Sequence, residues 1–222
     1  YYFRYYMYLY AGGYVWFIGK DATKTSQYNL YRAKLDCSGK ATKVTLPNVA
    51  GKAPLYLSYN NSISDDGKYL MLTGGATSTT EDLLIIDTTT GAGVNLTDKP
   101  ASLRDPGYYW MYYSTSGMHV AMSPSNTNVA YVKYENSDYE LYIRPRDKSK
   151  AEVHITGSTN FATAMDDAHG LRWATDDDLL FTAGTSTTAQ DPHHYKVSTG
   201  PLTHLTKTGG TTNPYSTAGK AR

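Results

Sequence analysis

An all-β fold, built from four copies of one short antiparallel sheet module, is what this sequence predicts, and three observations carry it. The apolar runs are too short for helices and end in turn formers. One stretch, residues 63–97 (ISDDGKYLMLTGGATSTTEDLLIIDTTTGAGVNLT), spells strand, turn, strand, turn, strand. Its last strand recurs as VTLP at 44–47, VNLT at 94–97, VHIT at 153–156 and THLT at 203–206. The copies are therefore roughly fifty to sixty residues apart, a period that with several strands per copy marks a propeller blade.

In the first copy, residues 1–19 (YYFRYYMYLYAGGYVWFIG) read as two strands joined at Gly12 and Gly13. Their near-continuous aromaticity has a plain reading, burial between neighbouring blades. It also has a sharper one, self-assembly through the N-terminal strands, because an exposed strand edge invites pairing with another chain. Residues 20–28 read as a polar loop. NLYRAKLD at 29–36 and the run up to Leu46 supply the third and fourth strands.

Residues 47–54 link to the second copy, whose inner strand is expected at 55–63. Asp65, Asp66 and Gly67 make a tight turn, since Asp side chains accept nearby backbone N–H groups and Gly accepts positive φ. Strands are expected at 68–73, at 82–87 and at 93–97. The middle one, DLLIID, is continuously apolar, the pattern of a strand buried on both faces. The third copy repeats the order as SPSNTNVAYV at 123–132, ELYIRPRD at 140–147 and VHIT; the fourth as TDDDLLFT at 175–182, HHYKVSTG at 193–200 and THLT. The predicted blades are 1–47, 55–97, 117–156 and 168–206, with 207–222 a polar tail or the start of a further blade.

The run SDDGKYLML, then DLLIID, then G, then NLT, with its echo SPSNTNVAYV, ELYIRPRD, VHIT, resembles the TolB-type (WD-like) β-propeller repeat. That repeat is related to the propellers of prolyl-oligopeptidase-like proteins and of oligogalacturonate lyases. The resemblance covers roughly residues 14–206 and implies a propeller of four-stranded antiparallel blades. It leaves function open, because such blades serve docking proteins, peptidase gating domains and lyases alike. The fourth copy departs from the repeat by lacking a Gly after Asp176, Asp177 and Asp178. Four blades are also few for this fold, so the chain is expected to be part of a longer one, the alternative being a compact four-bladed form.

Composition narrows the classes. At 222 residues and 40% hydrophobic content the chain can bury a core without staples. A net charge of +1, with 18% charged residues, gives no basic stripe for nucleic acid. No apolar run approaches the length of a membrane-spanning helix. The single cysteine, Cys37, excludes an internal disulfide and reads as a small filler at a strand end. Tyrosine stands out, with 22 residues against four phenylalanines. Its ring packs while its hydroxyl stays wet, which suits strands at a half-wet surface and points to an extracytoplasmic binder.

Two places carry chemistry in the sequence. The long connection between the second and third copies holds Tyr108, Tyr109, Trp110, Tyr112 and Tyr113, rings able to stack on sugars or clamp a peptide, or else simply to begin the next inner strand. MDDAHG at 165–170 brings Asp166, Asp167 and His169 to the start of the fourth inner strand. With His119, the trio Asp166, His169 and His119 has donors for a divalent metal such as Mn or Ca, while turn and cap roles for the aspartates compete with that. Asp191, His193 and His194 are further partners, but adjacent histidines point to opposite faces of a strand. Arg144, Arg146 and Lys148 read as an outward-facing solvated set.

No G-x-S-x-G elbow, phosphate loop or paired C-x-x-C is present. The expected function is a non-catalytic propeller module, without cofactor, recognising a protein or glycan partner outside the cytoplasm. The rivals are a metal-dependent lyase of the oligogalacturonate type and the gating propeller of a serine peptidase.

Overall fold

A computed structural model of the chain describes residues 9–21, 24–57, 62–77, 80–97, 120–135, 138–156, 166–186, 189–200 and 202–204. All regular structure among the described residues is β-strand, in four antiparallel sheets. The chain divides into two compact units, Tyr1–Tyr112 and Tyr113–Arg222.

The first unit opens with a meander of β1 (Leu9–Ala11), β2 (Tyr14–Asp21), β3 (Lys24–Lys34) and β4 (Thr42–Lys43). Gly12 and Gly13 form the first hairpin at φ 58° and 81°, as the AGG triplet requires. Gly12 has a second constraint, since a Cβ there would stand 2.9 Å from the Thr88 hydroxyl. The second sheet holds β5 (Tyr56–Leu57), β6 (Ser62–Ile63), β7 (Tyr69–Thr77), β8 (Thr80–Asp87) and β9 (Gly93–Asn95). Of the inner strand expected at 55–63, the described residues are β5 and β6, both paired with β7. Between β6 and β7 the Asp-Asp-Gly turn forms as the sequence requires. The Asp66 carboxylate accepts from the Lys68 N–H at 3.0 Å and from the Ser64 hydroxyl at 2.8 Å, and Gly67 sits at φ 72°.

Burial on both faces of β8 follows from its unbroken apolar run. Leu84 and Ile86 join one core with Trp16, Ile18, Leu30, Leu70 and Leu72, whereas Leu83 and Ile85 are buried on the opposite face.

The second unit has the same plan. β10 (Val120–Met122), β11 (Asn128–Glu135), β12 (Asp138–Pro145) and β13 (Val153–His154) make the third sheet. β14 (Asp166–Trp173), β15 (Asp178–Ser186), β16 (Ala189–Lys196) and β17 (Leu202–His204) make the fourth. Their shared core takes Ala130, Val132, Leu141, Ile143 and Ile155 from the third sheet, and Leu171, Leu179, Phe181, Ala183 and Tyr195 from the fourth.

Three expectations need correction. Val44 is not the equivalent of Val94. Thr42 stands opposite Arg32 as Val94 stands opposite Ile85, Val153 opposite Ile143 and Thr203 opposite His194. Val44 instead donates its N–H to the Leu30 carbonyl, as Leu96 does to Leu83 and Ile155 to Leu141. Exposure agrees: Val44 is 6% exposed, Val94 39% and Val153 49%. The shift is two residues, so the face is kept; what fixes register is the residue that fills the core.

Cys37 is not a filler, for it is exposed in a turn at φ 58°. The basic run is not one outward row either. β12 ends at Pro145, Arg144 is half-buried, Arg146 donates from Nε to the Asn126 carbonyl, and Lys148 lies in a turn at φ 60°.

The fourth hairpin manages without glycine. Thr175 replaces it: its hydroxyl oxygen accepts the N–H groups of Asp177 and Asp178, both at 3.1 Å, while its O–H donates to the Asp178 carboxylate at 2.7 Å. A side-chain turn thus does what a positive-φ residue does in the second sheet.

Candidate functional site

Alternation along β11 and β12 sorts the third sheet into an apolar face and a polar one. Ala130, Val132, Leu141 and Ile143 go to the core. Tyr131 pairs with Tyr142, Lys133 with Glu140, and Tyr142 with His154, so these five share the other face. This face brings ionisable and aromatic side chains into one connected cluster.

Lys133 lies at its centre, its side chain 1% exposed. Its ammonium is ion-paired with Glu152 and lies 3.9 Å from the centroid of the Tyr142 ring and 5.7 Å from that of Tyr131. The Tyr131 hydroxyl donates to the second Glu152 oxygen at 2.6 Å. Tyr131 and Tyr142 stack at 6.1 Å, and His154 stacks on Tyr142 at 4.5 Å. Beyond the ring, His154 Nε2 is 3.0 Å from Glu140, which also accepts the Thr156 hydroxyl.

Electrostatics fix what this cluster does. Burial disfavours a charged amine, but a carboxylate and two ring faces favour it, so the pairing opposes conversion of Lys133 to a neutral nucleophile. Burial, and then the charge of Glu152, push the Tyr131 phenol well above its ordinary value, so it stays a donor. The arrangement holds a cation, and the chain supplies that cation itself. A lysine inside an apolar strand, AYVKY at 130–134, was the signal in the sequence; the predicted sites passed over it.

The predicted metal trio is placed only in part. Asp166 and His169 lie in β14, opposite Gly184 and Thr182, with register shifts on either side of His169. His119 falls outside the described residues, as do Tyr108, Tyr109, Trp110, Tyr112 and Tyr113, residues 1–8 and residues 207–222. Among the described residues no three His, Cys, Asp or Glu side chains come together in a way that could hold a metal.

His193 and His194 do separate to opposite faces. His193 is fully buried, stacked on Phe181 at 5.3 Å, with Nε2 3.2 Å from the Ala183 carbonyl. His194 meets the Asp178 carboxylate at 2.7 Å on the other side, where Lys196 lies 3.3 Å from Asp177 and 3.6 Å from Asp178.

Other polar groups hold the sheets together. Arg32 lies over the rings of Tyr14 and Trp16, at 4.6 Å and 5.7 Å, and donates to the Thr89 carbonyl of the second sheet at 2.9 Å. The buried Asp82 accepts from Asn95 at 2.7 Å and from the Thr97 hydroxyl at 3.2 Å.

No protein-family profile matches the sequence, and no curated protein matches it. Solved structures do. The TolB protein of Acinetobacter baumannii is similar with a TM-score of 0.51 and 16% identity, over 90% of this chain and 43% of its own. A Mycobacterium tuberculosis puromycin-hydrolyzing peptidase is similar at 0.55 and 14% identity, over 91% of this chain and 30% of its own. An acylaminoacyl peptidase is similar at 0.53 and 10% identity, over 91% and 32%. This chain therefore spans less than half the length of each, and at such identities the likeness establishes the fold. The four antiparallel sheets, together with the likeness to these structures, establish the fold as antiparallel β-propeller blades.

Proposed function

We propose that this chain is a non-catalytic β-propeller module that recognises a protein partner outside the cytoplasm, as part of a longer protein. The observation that carries the reading is the likeness of nine-tenths of the chain to part of TolB, about twice its length, and to part of two peptidases about three times its length. Two of these neighbours are named as peptidases, which ranks a polypeptide ligand above a glycan. The abundance of tyrosine supports a wet, extracytoplasmic surface.

A second reading, the gating propeller of a peptidase, has the same support from the two peptidases, one named as puromycin-hydrolyzing and one as acylaminoacyl. Intact mass of the native protein, with labelling by a fluorophosphonate active-site probe, separates the two. Labelling of a polypeptide longer by a catalytic domain supports gating; a longer polypeptide that does not label supports docking. Binding to a glycan array with none to a peptide array overturns both. Stoichiometric Mn or Ca in the purified protein, lost on changing Asp166 or His169, would put the rival lyase reading ahead of both.

A further inference from the structure

We draw no further inference here: the strongest candidate, the side-chain cluster of Tyr131, Lys133, Tyr142 and Glu152 on the polar face of the third sheet, belongs to the site already described, where the chain's own ammonium fills it.

Discussion

The second and third sheets solve one local problem with different residues. In both, a threonine hydroxyl at the end of the outer strand accepts a backbone N–H from the strand beside it, Thr97 from Leu83 at 2.9 Å and Thr156 from Leu141 at 2.8 Å. In both, the same hydroxyl donates to a carboxylate, Asp82 or Glu140. The third member is Asn95 in one and His154 in the other. Past this shared latch the sheets diverge. Where the second has Leu84 in the core, the third has Tyr142 against an ammonium. The repeat therefore conserves a way of closing the outer strand, while the adjoining face is free to be greasy or charged.

The largest expected effect tests that charged face. Glu152→Ala leaves Lys133 with its charge buried and is expected to cost about 3 kcal/mol in urea unfolding. Lys133→Met, by contrast, is expected to be near neutral, because Glu152 is 28% exposed on its side chain and water can take over. Equal losses in the two variants would show that the ion pair stabilises the sheet outright. Leu84→Ala, at the corresponding place in the second sheet, removes a fully buried side chain and should cost about 2–3 kcal/mol by the same measurement.

The latches come next. Asn95→Ala strips a donor from a carboxylate that is 1% exposed, and a loss of about 1–2 kcal/mol is expected. His154→Ala acts on a side chain 37% exposed, so less than about 1 kcal/mol is expected. If the histidine variant loses more than the asparagine one, the latches are not equivalent.

The smallest effect is in acid. Asp176, Asp177 and Asp178 all sit below the ordinary carboxylate value, held there mainly by the Ser125 N–H, the Ser198 hydroxyl and the Thr175 hydroxyl respectively. Each binds its proton less tightly folded than unfolded. Their stabilisation is complete above the ordinary value of 3.8 and is lost as pH falls through the lowered folded values. Melting temperature should therefore drop below about pH 4, and Asp178→Asn should flatten that drop slightly. An unchanged profile in the variant would mean that the His194 and Thr175 contacts do not persist in solution.

Where short-range chemistry sets the conformation, the residues were readable one by one. Gly12 with Gly13, and Asp66 with Gly67, specify their turns because few other residues accept those dihedrals or bond their own backbone so close by. The unbroken DLLIID run announced burial on both faces of β8. The same reading misaligned Val44, because matching letters cannot tell which valine fills the core and which stays 39% exposed at the rim. In the fourth hairpin the missing Gly is made good by a hydroxyl one position before the aspartates, a substitution the glycine pattern does not reveal. Of the predicted sites, only the backbone of Asp166 and His169 is placed. The Lys133 cluster went unread because Glu152 lies outside the strands, and proximity to Lys133 depends on how the chain returns.

By itself, then, the sequence determined the β character, the number of modules and the turns, since each follows from alternation and dihedral preference over a few neighbouring residues. Only the tertiary structure decided which valine is core and what neutralises a buried ammonium. Those outcomes rest on contacts between residues far apart along the chain, whose energies no local pattern records.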